Sequence, residues 1–310
     1  MTEDTIEQAR KAIAGLDVFK GANAATIPVS RLGSLTNLVF RVEHGHDVLC
    51  LRLPGKGTEE YIDRKVEAHN ARAAARAGVS PQVLYADPET GIMVAKFLDG
   101  FETMTAEIFA RKEGAAARAG TAFAKLHNCG EKFEFRFELF SMIDEYLEIL
   151  SKKTVQFPDG YHDVLAESAA VREALAANPG KLAPCHCDPL CENFLDDGKT
   201  MWIIDWEYSG MNDPLWDLGD LSVEGGFTDK LDMEMLNAYF PGGPGEADVG
   251  RMVIYKAMCD LLWTLWGLIQ HANDNPAEDF WAYSVGRFER CKTLMSDPEF
   301  GKHVKAVGKT

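Results

Sequence analysis

The stretch His186-Cys187-Asp188-Pro189-Leu190-Cys191-Glu192-Asn193, followed by the apolar run Met201-Trp202-Ile203-Ile204 and then Asp205, places oxygen-bearing side chains in the pattern H-x-D-x-x-x-x-N with a later D. Phosphoryl transfer needs such parts. A carboxylate must orient the acceptor hydroxyl and take its proton, and oxygen ligands must hold Mg²⁺ against a triphosphate. Asp188 is the expected catalytic residue, and Asn193 and Asp205 are the expected metal ligands. The loop spacing lets Asp188 face the acceptor while Asn193 turns back to the ion, and a hairpin through Asp196-Asp197-Gly198-Lys199 delivers Asp205. His186 is expected to brace the loop. A zinc reading of Cys185, His186, Cys187 and Cys191 is disfavoured by spacing, because adjacent and alternate residues seldom aim at one tetrahedral centre and no C-x-x-C pair is present there.

Two further groups carry complementary chemistry. Arg31-Leu32-Gly33-Ser34-Leu35-Thr36-Asn37 links two strand-like runs and offers small residues and backbone N–H groups suited to lying over phosphates. Arg52 stands where a phosphate-gripping cation belongs on the third strand, with Glu67 on the following helix as its expected ion-pair partner. Late in the chain, Trp263 and Trp266 are three apart on a helix and project from one side. With Tyr283 and Glu224 they form a candidate box of aromatic faces and one carboxylate, suited to an ammonium group. As residues alone, a Trp-x-x-Trp pair on an apolar helix reads first as core packing. His271 and Asn273 read as helix-end surface groups.

The elements that must position these groups are legible in the pattern. Residues 4–14 form an amphipathic helix stopped by Gly15. Ile27–Leu32, Thr36–Glu43 and Val48–Leu53 are strand-like, with a His44-Gly45 turn between the last two. Asp63–Ala77, rich in Ala, Arg and Glu and ended by Gly78, predicts a helix, and Val83–Ala86 and Ile92–Phe97 predict two more strands. After Leu98-Asp99-Gly100 the chain turns helical over 105–128, 138–153, 161–177, 214–240, 247–272 and 279–296, interrupted by the hairpin of Phe194–Leu195 and Met201–Ile204. The expected fold class is α+β and two-lobed: a small antiparallel-sheet lobe with one helix over 1–97, a hinge at 98–100, and a larger, mainly helical lobe with an embedded hairpin over 98–310.

Bulk properties bound the partners. A chain of 310 residues that is 46% hydrophobic can bury one large core or two modest ones. A formal charge of -16 gives no electrostatic footprint for nucleic acid or anionic membrane, whereas a cationic small molecule is tolerated. The N-terminus is acidic where a signal peptide would be basic, and no run approaches the length of a membrane span, so a cytoplasmic protein is expected. Seven irregularly spaced cysteines are expected to be free thiols.

With these parts in order, the chain resembles the choline/ethanolamine kinase branch of the aminoglycoside-phosphotransferase-like kinases over nearly its whole length. Gly33-Ser34-Leu35-Thr36-Asn37 is similar to the family's G-G-x-[ST]-N loop, and Leu51-Arg52-Leu53-Pro54-Gly55 to its L-R-[IV]-x-G strand end. The most specific stretch is Ile204-Asp205-Trp206-Glu207-Tyr208-Ser209 with Asn212, Asp217-Leu218-Gly219 and Glu224, which follows the family's D-[FW]-E-Y motif with a later N, D and E. Cys187 and Asp220 depart from it, each standing where asparagine is common.

The resemblance implies a protein-kinase-like fold with ATP and Mg²⁺ as cofactors. The hinge backbone at Lys96, Phe97 and Leu98 would read adenine, and Gly33, Ser34, Thr36, Asn37, Arg52 and Glu67 would surround the nucleotide. Glu224, Trp263, Trp266 and Tyr283 would hold a small-molecule amino alcohol, with His186, Glu207 and Asp217 supporting the loop. The implied reaction moves the ATP γ-phosphate to the hydroxyl of choline or ethanolamine, and a homodimer is left open. Two alternatives stand beside it: a kinase for another amine-bearing alcohol, thiamine or an aminoglycoside, and a catalytically silent, kinase-shaped binder of a cationic metabolite. The tryptophan pair argues against a polyamine sugar, and the joint presence of Asp188, Asn193, Asp205 and Arg52 argues against silence.

Overall fold

A computed structural model of the chain describes residues 2–33, 37–55 and 62–309. Helix α1 (Thr2–Gly15) lays Ala9 and Ile13 against a sheet whose strands run in the order β1-β2-β3-β5-β4. These are β1 (Val29–Leu32), β2 (Leu38–His44), β3 (Asp47–Leu53), β4 (Val83–Ala86) and β5 (Met93–Lys96), all antiparallel. The β2–β3 pair runs from Leu38 opposite Leu53 to His44 opposite Asp47, across a turn in which Gly45 takes a φ of 64°. Strand alternation in β3 buries Leu49, Leu51 and Leu53 in the sheet core and turns Cys50 and Arg52 to the opposite face. Register therefore decides the chemistry of this strand, since a slip of one residue would bury Arg52.

Helix α2 (Arg64–Arg76) is capped by Asp63, whose side chain accepts from the backbone N–H groups of Lys65 and Val66 at 2.9 and 3.1 Å. It ends just before Gly78, which takes a φ of 70°. Its small face, Ala71, Ala73 and Ala74, packs into the larger core that follows rather than into the sheet core.

The rest is mainly helical: α3 (Ala106–Arg111), α4 (Ala115–His127), α5 (Leu139–Ser151), α6 (Tyr161–Glu167), α7 (Ala169–Ala177), α8 (Pro214–Glu224), α9 (Asp229–Tyr239), α10 (Glu246–Ala272), α11 (Phe280–Met295) and α12 (Phe300–Gly308). Short strands are set among them. A three-stranded sheet runs β6 (Glu102–Thr103), β8 (Phe194–Asp196), β9 (Met201–Ile203), and β7 (Ala183–Cys185) pairs with β10 (Gly210–Asn212). Three expected helices are broken. Gly114, with a φ of 72°, separates α3 from α4; Gly225-Gly226, with a φ of 58° at Gly226, ends α8; and Ser168, whose hydroxyl bonds the Leu165 carbonyl at 2.7 Å, divides α6 from α7.

Against expectation, α10 is long and apolar enough to cross a membrane by length and composition, but 83% of its most apolar window is buried inside the protein. It is the central core helix, packed on α5, α8, α11 and α12. Gly219 allows α8 to lie close on it, since a Cβ there would come within 2.8 Å of the Met252 carbonyl.

Candidate active site

The loop 186–193 joins β7 to β8 and is held from below by one buried carboxylate. Asp217 accepts the backbone N–H of His186 at 2.7 Å, the N–H of Cys187 at 2.8 Å, and the His127 ring at 3.0 Å. His127 in turn reaches the Tyr239 hydroxyl at 3.0 Å. Three donors on one carboxylate make the loop expensive to move. His186 is wholly buried, donates Nε2–H to the Ile204 carbonyl at 2.8 Å and lies against the Trp206 ring at 4.8 Å; burial lowers its pKa, so it is a neutral brace. Cys187 and Asp205 both hold left-handed backbone at φ 69°. Strain of about 1–3 kcal/mol per such residue is tolerated where surrounding bonds fix it, and here the Cys187 carbonyl also receives Trp216 Nε1–H at 3.0 Å.

The same framework brings the three expected chemical residues together. Asn193 donates its side-chain amide to the Asp188 carbonyl at 3.1 Å, and its own carbonyl accepts the Ile204 N–H at 2.9 Å, one residue before Asp205. Asp205 and Asp188 lie near enough that the Asp188 charge contributes to raising Asp205. Burial pushes Asp188 up to about 7, with the Glu224 carboxylate adding to the rise and Arg287 opposing it. Asp205 is pushed well above the carboxylate range by its enclosure and by Glu207, although 37% of its side chain remains accessible from the cleft. A cluster of carboxylates that resist ionisation together is a site waiting for positive charge.

Above this cluster the sheet face contributes Arg52. Its Nη1 pairs with Glu67 and approaches Asp205 at 3.5 Å and Glu207 at 3.7 Å. Arg64, part of the Ile62-Asp63-Arg64 stretch that leads to Glu67 but given no role from the sequence, bridges Glu67 at 2.8 Å and Glu207 at 2.5 Å. Its spacing three residues before Glu67 was the available signal. Glu207 thus ties α2 to the segment after Asp205, and Asn37 donates its side-chain amide to Glu207 at 3.0 Å while its oxygen takes the Gly55 N–H at 3.2 Å. Asn37, expected at the nucleotide, therefore has its side chain engaged inside the protein. Gly33 is exposed, and Ser34 and Thr36 lie outside the described residues. The Lys96 side chain is turned to Asp47, the Phe97 N–H bonds the Val48 carbonyl at 3.0 Å, and Leu98 follows it out of the sheet.

These residues fit a triphosphate with a hard divalent cation. Among the described residues, Nε and Nη2 of Arg52 are buried without a hydrogen-bond partner, which leaves a guanidinium edge for phosphate oxygens. Glu67, Asp205 and Glu207 bring one oxygen each within 4.8 Å of one another, but Arg52 and Arg64 engage Glu67 and Glu207, which leaves Asp205 as the oxygen ligand of that set most suited to magnesium. The zinc alternative is not supported: Cys185 and Cys187 are buried with thiol pKa values pushed well up, and Cys191 is pushed up to about 12. All seven cysteines are free.

The aromatic residues expected at an amine pocket lie in one ring of contacts. Trp263 and Trp266 meet edge to face at 6.3 Å, Trp266 meets Tyr283 at 5.8 Å, and Tyr208 covers Trp263 at 5.5 Å. Gly267 permits the approach of Tyr283, whose ring would lie 2.6 Å from a Cβ at that position. One feature differs from expectation. Glu224 is paired with Arg287, and the Arg287 guanidinium lies 4.6 Å over the Tyr283 ring, so the protein's own cation already engages that carboxylate and that face.

Comparison with known proteins identifies the family. Residues 29–232 match the family model for choline/ethanolamine kinase. The protein LicA of Haemophilus influenzae is 26% identical over 91% of this chain and 84% of its own length. The crystal structure of a choline/ethanolamine kinase family protein from Mesorhizobium loti superposes with a TM-score of 0.91 at 59% identity, covering 99% of this chain and 100% of that one. The choline kinase LicA from Streptococcus pneumoniae gives a TM-score of 0.77 at 24% identity over 94% and 98%, a likeness of fold. The chain, a small-molecule kinase with a kinase-like fold, belongs to the choline/ethanolamine kinase family.

Proposed function

We propose that this protein transfers the γ-phosphate of ATP, with Mg²⁺, to the hydroxyl of choline or ethanolamine. The observation that supports the reading is that Asp188 neighbours Asn193 and Asp205 on one side and lies near enough to Tyr283, which meets Trp266, for its charge to act on that residue on the other. When bound, magnesium ATP supplies the electrophilic phosphoryl group and charge neutralisation. Arg52 would hold phosphate oxygens through Nε and Nη2, with Glu67 fixing its orientation. Asn193 and Asp205 would hold the ion. Asp188, pushed by burial up to about 7, would orient the acceptor hydroxyl and receive its proton at a carboxylate oxygen. The aromatic wall would take the ammonium end of the acceptor and exclude water from it.

A panel of acceptors tests this reading: choline, ethanolamine, thiamine and an aminoglycoside, each with magnesium ATP and a coupled ADP assay. Turnover confined to choline or ethanolamine is expected. Preference for thiamine or the aminoglycoside rejects the assignment, and ligand binding without turnover supports a silent binder.

A further inference from the structure

Resting on the kinase reading above, the pocket wall carries a second carboxylate that the family motif does not supply. Asp220 stands where asparagine is common, and it is completely buried. Its Oδ1 receives the Cys259 thiol at 2.9 Å, whereas Oδ2 is buried with no hydrogen-bond partner among the described residues. A carboxyl oxygen left in that state is costly: burial, with Glu224 and Asp188 adding like charge, holds the Asp220 carboxyl well above the usual carboxylate range, and Cys259 and Arg287 oppose this only in part, so the group lacks a cation to ionise against.

Asp220 belongs to the same ring of contacts as the aromatic wall. Cys259, Trp263 and Trp266 fall at i, i+4 and i+7 along α10 and share one stripe of that helix. Trp266 touches Tyr283, Tyr283 carries Arg287, Arg287 pairs with Glu224, and Glu224 lies one turn beyond Asp220 on α8. Asp220, Glu224 and Cys259 bring their ligand atoms within 4.8 Å of one another. Since Arg287 has taken Glu224 and the Tyr283 face, Asp220 Oδ2 is an acceptor in this ring with no donor among the described residues.

We propose that Asp220 is the specificity-determining carboxylate of the acceptor pocket and selects alcohols whose ammonium group carries N–H. A primary ammonium donates a charge-assisted hydrogen bond to Oδ2 and satisfies it. A quaternary ammonium offers only methyl groups, so Oδ2 stays without a donor. The aromatic faces attract both cations, and it is the hydrogen bond that separates them.

The test uses purified full-length protein, saturating magnesium ATP, and four acceptors: ethanolamine, its N-methyl and N,N-dimethyl derivatives, and choline. Wild-type kcat/KM is expected to fall along the series, with a loss of roughly tenfold or more at the final methylation that removes the last N–H. In Asp220→Asn, a near-isosteric change, that step shrinks severalfold, and the difference appears in KM rather than kcat. An undiminished step in the variant, or no step in the wild type, overturns the proposal while leaving the kinase reading intact. No turnover of any of the four acceptors overturns both. If Asp220→Asn fails to fold by circular dichroism, the wild-type series decides alone.

Discussion

Asp188 combines burial that pushes its pKa up to about 7 with a place in a loop that Asp217 holds through two backbone N–H groups. The sign of its effect follows directly. The basic form accumulates as pH rises through about 7, so kcat/KM for the acceptor should climb close to tenfold per pH unit below that value and level off above it. Glu224 is the largest like-charge contribution to the rise, so Glu224→Gln should move the acidic limb to lower pH, read from the pH profile of kcat/KM. An unmoved limb would remove Asp188 as the titrating group. Arg52 makes a separate demand. Arg52→Lys keeps the charge but loses the planar edge that Nε and Nη2 present, and should weaken ATP binding by roughly tenfold or more in calorimetry.

At the scale of elements, the loop and the pocket depend on contacts far from the chemistry. Asp217→Asn exchanges an acceptor for three buried donors with an amide that can oppose one of them; a loss of about 1–3 kcal/mol in chemical unfolding is expected, together with lower kcat. Gly267→Ala should push Tyr283 off Trp266 and raise acceptor KM while leaving ATP affinity near its original value. The helix and strand carriers of these effects were largely legible. The β2–β3 meander, α2 with its Asp63 cap, and the β8–β9 hairpin all announce themselves by alternation, capping and turn residues. The two- and three-residue strands β6, β7 and β10 carry too few positions for any period to show, and the breaks at Gly114 and Gly226 lie within otherwise continuous helical patterns. Asp188, Asn193, Asp205 and the Arg52–Glu67 pair could be read from spacing, whereas His127 meets Asp217 across 90 positions and Arg287 meets Glu224 across 63, distances over which local pattern says nothing.

Across the whole molecule, the apolar core divides into a sheet cluster and a larger helical cluster, and polar side chains of α2 cross between them. Asn70 is wholly buried, donates to the Ser209 carbonyl at 2.9 Å and accepts the Glu134 N–H at 3.1 Å, while Arg64 and Asn37 converge on Glu207. Such a network ties the sheet that carries Arg52 to the loop that carries Asp188, so the proposed nucleotide and acceptor contacts would be set together by one polar joint. The separation of duties across that joint gives the most direct test: steady-state turnover of Asp188→Asn beside its calorimetric affinity for magnesium ATP. Turnover should fall by roughly a thousandfold with nucleotide affinity within about threefold of wild type. Turnover within tenfold of wild type in that variant would contradict the assignment of Asp188 as the group that receives the acceptor's proton.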